Sequence, residues 1–302
     1  MTLKAQSSQA TLIPRCRSTK KLQALSLYSL VEICISSRLA LTLSFGMNLS
    51  LHDLYIGYDD DASHYVVAEA LIASLTGGTM ACLVGANGVG KSTLMRTLSG
   101  FQPALRGEVR IDGRALEEYT PRELSERVGV VLTERESTPD LTVEEVVAIG
   151  RMPYTNFWGT LTQADRQAVD EALLLVGIGH LRHKKIGHVS DGERQKAMIA
   201  KALAQQTDII LLDEPTAFLD YGSKVSVMRL LRQLAREQGK AILLSTHDLE
   251  IAFQTADEVW ILQRDGLRTG TLEALEEHGA VSAFLATSGL CYEAEQRRIV
   301  FV

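Results

Sequence analysis

From residue 47 onward the apolar and polar positions fall into short, recurring patterns. Leu49, Leu51, Leu54 and Ile56 outline an extended segment that ends at Gly57-Tyr58. Asp59-Asp60-Asp61 then reads as a hairpin tip, ahead of a metal cluster. Tyr65-Val66-Val67 and Ala70-Leu71-Ile72 carry the chain back to a turn at Gly77-Gly78. This is a β-rich antiparallel lead-in. Met80–Val84 is a continuous apolar run, and Gly107–Gly113 is a short strand closed by Asp-Gly. Pro121 opens a short helix and Val128–Leu132 is a second buried run.

Residues 141–205 carry a helical pattern. Thr142 and Glu145 are spaced as a capping box. Ala168, Ala172, Leu175 and Val176 share one face of a predicted helix over Asp165–Val176. Glu193–Ala204 predicts another, with Ala197, Ala200, Lys201 and Ala204 in register. Ile209–Leu212 and Ala241–Leu244 are apolar throughout, as expected of parallel strands covered on both faces. A helix from about Gly222 to Gln238 joins them as a crossover. Val259–Leu262 predicts a further strand before a turn at Asp265-Gly266, and Ile299–Val302 an edge strand. The fold class expected is α/β with a mainly parallel sheet.

The stretch Gly85-Ala86-Asn87-Gly88-Val89-Gly90-Lys91-Ser92-Thr93 lies between the run Met80–Val84 and a helical run at Leu94–Leu98. Strand, glycine-rich loop and helix in that order make a P-loop. Gly85, Gly88 and Gly90 let the backbone curl so that N–H groups converge, and the helix adds its positive end. Lys91 reaches β- and γ-phosphates, and the Ser92 hydroxyl is a Mg²⁺ ligand. Asn87, Gly88, Gly90, Lys91, Ser92 and Thr93 are the expected nucleotide-binding residues. A chance glycine turn would match neither the full pattern nor its flanks.

Three further constellations carry chemistry. Ile209–Leu212 delivers Asp213 and Glu214 to the carboxyl end of a strand, where open α/β sheets gather their ligands. Asp213 can organise Mg²⁺ through its water shell and Glu214 can act as general base. Alone, the pair would equally cap the next helix. His247, after Ser245-Thr246, can orient water or base at the γ-phosphate, although a lone strand-end histidine is more often structural. Ser190-Asp191-Gly192 opens the helix at Glu193, as an N-cap or as a second anion site. A head-to-tail dimer would bring Ser190 of one copy to the P-loop of the other.

The chain has 302 residues, 46% hydrophobic and 23% charged, as in a soluble globular protein. Its net charge of −6 argues against a nucleic-acid partner. Cys16, Cys34, Cys82 and Cys291 show no metal spacing and read as thiols in a reducing compartment. With no apolar run of about 18 residues, the chain is not expected to span a membrane itself. Residues 1–46 differ: six basic residues against one acidic give net +5, which leaves about −11 on the remainder. Such a leader reads as a targeting peptide, as a membrane-surface segment or, the favoured reading, as upstream sequence without a stable fold ahead of Met47.

These motifs, in this order over about Met47 to Thr271, resemble the ATP-binding subunit of an ABC transporter. The set is the P-loop 85–93, Val189–Glu193, Ile210–Pro215, Phe218–Asp220 and His247. The resemblance implies a P-loop NTPase core with a mainly parallel sheet, an antiparallel lead-in and a helical signature subdomain at about 141–205, all within one domain, 47–302. It implies Mg²⁺-dependent ATP hydrolysis, with Glu214 as base and His247 as switch. It implies Tyr58 stacking on adenine, Asp220 in a loop crossing the dimer interface, and Ser190 and Gly192 contacting the nucleotide of a second copy. Partners implied are that second copy, integral-membrane permease subunits docking through the helical segment and, indirectly, a substrate-binding protein. The implied location is peripheral, on the cytoplasmic face of the inner membrane. Gly150-Arg151-Met152-Pro153-Tyr154 and Trp158-Gly159 resemble the importers of ferric siderophores, haem and vitamin B12.

Two departures stand out. Asp191 replaces the first glycine of the usual signature pair, which puts negative charge near a triphosphate unless Arg194 pairs with it. Glu134 stands where the family carries a glutamine that ligates Mg²⁺; its carboxylate is still an oxygen ligand. They motivate a competing expectation, an ATP-binding regulatory subunit with weak hydrolysis. A soluble ABC protein without a membrane role is the other alternative, disfavoured by a single cassette with no sustained heptads.

Overall fold

The computed structural model describes residues 48–60, 63–132, 140–294, 296 and 298–301. The expectations for residues 1–46, Asp61, Glu134 and Val302 lie outside these residues.

β1 (Asn48–Asp60) pairs antiparallel with β2 (Ser63–Thr76). Strict alternation would turn Leu54 to the opposite face from Leu51. The register shifts between them, with Asp53 at φ 45°, and Leu49, Leu51, Leu54 and Ile56 all end up buried. Gly107 is required opposite this bulge, since a Cβ there would lie 2.1 Å from the Asp53 carbonyl oxygen.

β3 (Met80–Val84) leads into α1 (Lys91–Leu98). β4 (Arg106–Ile111) and β5 (Arg114–Ala115) are joined by Asp112 and Gly113, both left-handed, as a two-residue hairpin requires. α2 (Pro121–Ser125) and β6 (Val128–Val131) follow. The helical region holds α3 (Val143–Ala148), a 3-10 turn (Ile149–Tyr154), α4 (Gln163–Leu175) and α5 (Asp191–Ala204). The capping box at Thr142 forms in full, and Thr162 and Ser190 make the same arrangement at α4 and α5. α5 therefore begins two residues before Glu193. On α4 Asp165, Ala168, Val169, Ala172 and Leu173 are buried, as is Val176 just after it, so of the expected face only Leu175 turns outward, its place taken by Leu173.

β7 (Ile209–Leu212), α6 (Tyr221–Gln238), β8 (Ala241–Ser245), α7 (Leu249–Thr255), β9 (Glu258–Gln263) and β10 (Gly266–Gly270) complete the core. α8 (Leu272–Glu277), α9 (Ala280–Ala286) and the hairpin β11 (Leu290–Glu293) with β12 (Arg298–Phe301) close the chain. The C-terminal strand is thus an edge strand, as expected, in a two-stranded sheet with β11.

The main sheet runs β10-β9-β3-β8-β7-β6, parallel except for β10. The lead-in strands form a second, antiparallel sheet, β2-β1-β4-β5. Successive residues of the central strands serve two cores. Ala81, Leu83, Ile209 and Leu211 pack with β1, β2 and α1, while Met80, Cys82, Ile210 and Leu212 pack with α4, α5 and α6. That two-sided burial explains why these strands are apolar at every position. Among the described residues, no helix is long and apolar enough to cross a membrane.

Candidate functional site

Strand register builds the site. Leu212 pairs with Leu244, so Asp213 emerges beside Ser245; Leu83 pairs with Ser245, so the glycine-rich loop rises next to both. In that loop Gly88 and Gly90 have φ of 72° and 113°. A Cβ on Gly90 would lie 2.5 Å from a Val67 methyl, and one on Gly85 would lie 2.6 Å from the Leu262 carbonyl oxygen. Only glycine fits either place. α1 has no side-chain cap at Gly90 and no acidic residue in its first turn, so its amide end is open to an anion.

Lys91 is buried and its Nζ donates to the carbonyl oxygens of Gly85 (2.9 Å) and Ala86 (3.2 Å). Burial pushes its pKa down, while Glu214 and Asp213 pull it back up. The ammonium therefore sits inside the loop and within the field of both carboxylates. Ser92 and Asn87 are exposed beside it. The Thr93 hydroxyl, buried on the first turn, shares a 3.1 Å hydrogen bond with the Tyr58 hydroxyl. Tyr58 is half-exposed, its ring end tethered to α1.

Ser245, fully buried at the end of β8, holds the carboxylates. Its Oγ donates to Asp213 Oδ1 (2.6 Å) and accepts from the Glu214 amide (2.9 Å). Glu214 has φ 49°, a conformation non-glycine residues seldom adopt and one that gathers at functional sites. Its Oε1 touches His247 Nε2. The loop carrying His247 is fixed by the Asp248 amide donating to Thr246 Oγ1 (3.1 Å), and by Lys224 of α6 paired with Asp248 at 2.7 Å. The structure thus gathers Lys91, Asp213, Glu214 and His247, adjoining Ser92. Ser245 is a member that sequence reading passed over; a lone hydroxyl ending an apolar strand was its only signal.

The donors offered are a hydroxyl (Ser92) and a carboxylate (Asp213), hard oxygen ligands of the kind Mg²⁺ takes alongside substrate phosphates. Among the described residues, no cluster of three or more His, Cys, Asp or Glu forms a dedicated metal cage. The chain fits a metal held largely by a bound triphosphate.

Ser190 and Gly192 lie elsewhere, at the start of α5, which packs on α3, α4 and α6. Ser190 is exposed and caps the helix: Glu193 N donates to its Oγ (3.3 Å), and Ser190 N and Oγ donate to Glu193 Oε2 (2.8 and 2.9 Å). Those bonds hold the Glu193 carboxyl below its usual range. Asp191 pairs with Arg194 at 3.1 Å, as the departure from glycine required. A Cβ on Gly192 would lie 3.0 Å from Ser223 Oγ, so Gly192 is where α5 meets α6. Ser223 is bound in turn to Asp220, which caps α6.

The ABC transporter family model matches residues 69–217. An uncharacterized ABC transporter ATP-binding protein of Methanocaldococcus jannaschii is 40% identical over 215 residues, 71% of this chain and 73% of that protein. The ferric enterobactin transport ATP-binding protein of Escherichia coli is 38% identical over 213 residues, 70% of this chain and 77% of that protein. Among solved structures, a dimeric bacterial ABC transporter cassette superposes with a TM-score of 0.64 at 25% identity, covering 74% of this chain and 98% of that one.

Proposed function

The chain belongs to the ABC transporter ATP-binding family, and from that premise we propose that it is the Mg²⁺-dependent ATPase subunit of an importer of a ferric siderophore, haem or vitamin B12. ATP binding and hydrolysis are properties of the family. The cargo class rests on the similarity to the ferric enterobactin transport protein and on the Gly150–Tyr154 motif. We take residues 47–302 as the cassette, with 141–205 as its helical subdomain.

One observation carries the hydrolytic reading: Ser245 clamps Asp213 and Glu214 at a strand end that also receives Lys91 and His247. Lys91 and the amides of Gly88, Gly90 and Ser92 bind the phosphates. Mg²⁺, when bound, neutralises charge on the transferring phosphoryl group. Ser92 and Asp213 hold it, with Glu134, outside the described residues, as a further oxygen ligand. Glu214 accepts the proton of the attacking water, and His247, against its carboxylate, sets the direction in which that carboxylate points. Tyr58 and Asn87 border the nucleoside and phosphates. Ser190 and Gly192 contact the nucleotide held by a second copy.

Permease subunits dock, on this reading, through the helical segment 141–205 and the adjoining cleft of about 510 Å³ between α1, α2 and β6, which Gln205 at the end of that segment also lines. Exposed Phe101, together with Tyr119, Leu124 and Gln205, lines it. That arrangement makes the subunit peripheral to the cytoplasmic membrane face, with a substrate-binding protein reached only through the permease. A weakly hydrolysing regulatory subunit is the second reading; the Asp191–Arg194 pair answers the Asp191 half of its motivation, and Glu134 is the other half. Phosphate release by the full chain with its co-purified permease, compared with Glu214→Gln, tests the proposal. Loss of turnover in the variant supports it, and unchanged turnover refutes it.

A further inference from the structure

A network at the far end of α5 lies outside the nucleotide site and reaches the cleft through Gln205. Gly150 lets the 3-10 turn close on α5: a Cβ there would lie 2.1 Å from the Lys201 carbonyl oxygen. Arg151 next to it is buried. Its Nε donates to Asp165 Oδ1 (2.9 Å), and its Nη1 donates to the Ala204 carbonyl (2.7 Å) and to Gln206 Oε1 (3.0 Å). The guanidinium stacks 4.0 Å from the Tyr154 ring centroid. The Tyr154 hydroxyl donates to the Gln205 carbonyl at 2.9 Å. The Gln205 side chain, which lines the cleft, donates to the carbonyls of Ser125 and Val128.

Each bond has a physical role. The last carbonyls of a helix lack intrahelical partners and carry its negative end, so an arginine donating to Ala204 caps α5 in charge and in geometry. Asp165 closes the α4 capping box through Thr162 and also receives Arg151, so α4 and α5 share one guanidinium. α5 is 14 residues long, a rod of roughly 21 Å. Its C-terminal end is pinned at the cleft and its N-terminal end carries Ser190.

We propose that Arg151, with Tyr154, is a positioning residue that transmits the state of the permease cleft along α5 to Ser190. This rests on the cleft being the permease site. A lysine cannot replace Arg151, because one ammonium cannot serve Asp165, Ala204 and Gln206 in the plane that stacks on Tyr154.

The test uses the full chain alone and in complex with the permease subunits that co-purify with it. Deleting one partner of a buried ion pair endangers folding, so the variants are Arg151→Lys and Tyr154→Phe, the second removing only a hydroxyl. The readout is the ratio of permease-stimulated to basal turnover. Expected is a fall in that ratio of at least about fivefold, the low end of coupling between sites, with basal turnover and ATP affinity unchanged. Equal loss of both rates would mark a structural residue, and an unchanged ratio would remove the link; either overturns the proposal. Phe101→Asp is the separate control. Continued co-purification of that variant would refute the cleft reading, whereas loss of coupling in Tyr154→Phe with the permease still attached bears on the strut alone.

Discussion

The strand-end cluster and the start of α5 differ in how complete they are within one chain. Asp213, Glu214, Ser245 and His247 are joined by direct contacts at neighbouring strand ends, Lys91 sits in the field of both carboxylates, and Lys91 and Ser245 are buried. Ser190 and Gly192 are held from behind, by Glu193 and by the first turn of α6, and present an exposed helix start. One region is a preorganised chemical centre. The other is an exposed helix start, capped by Ser190 and packed at Gly192 against α6. A family of dimeric cassettes makes sense of that asymmetry: each chain would finish the site of its partner.

Glu214→Gln is the largest expected break in the contrast. Turnover should fall by about 10²–10⁴-fold, the worth of a general base, while ATP affinity stays the same; phosphate release and nucleotide titration measure the two. Ser245→Ala comes next, since it leaves the Glu214 amide and Asp213 without their shared partner. It should cost about 1–3 kcal/mol of stability and lower turnover with it, by calorimetry and steady-state assay. Ser190→Ala, which removes the α5 cap and the hydroxyl offered to a partner's nucleotide, should cost about 1 kcal/mol of stability and lower turnover less than Glu214→Gln does, in the same assays.

A smaller effect is expected from acid. Hydrogen bonds from Thr162, then Arg151, hold the Asp165 carboxyl below its usual range despite burial. A carboxylate lowered in this way contributes stability that is present above the ordinary value of about 4 and is lost as pH falls through the lowered folded value. Asp165→Asn should therefore be less stable than the parent at pH 7, with the gap narrowing below about pH 4; denaturant melts across that range check it. Least of all, Thr142→Ala should cost about 1 kcal/mol in the same melts and leave turnover alone.

What was legible in the sequence was what local chemistry specifies. The glycine loop, the apolar strands and the Thr142 cap each follow from neighbours within a few residues. Ser245 was not legible because its partners, Asp213 and Glu214, stand more than thirty positions away and meet it only through the β7–β8 register. The partner of the C-terminal edge strand was hidden for the same reason: β12 pairs with β11, a choice no alternation pattern records. On α4, Leu173 rather than Leu175 faces the core, because packing against α5 fixes the helix's rotation. The Gly150–Tyr154 motif was visible as a family trait, but its bonds to Ala204 and Gln205 needed the fold.

The central claim is that each nucleotide site has two walls from two chains. Sedimentation of the full chain with ATP and Mg²⁺, in a Glu214→Gln background that slows hydrolysis, tests it most directly. The account predicts an ATP-dependent dimer for Glu214→Gln. It predicts a monomer that still binds ATP when Ser190→Arg is added. A dimer that forms equally well with Ser190→Arg would contradict it.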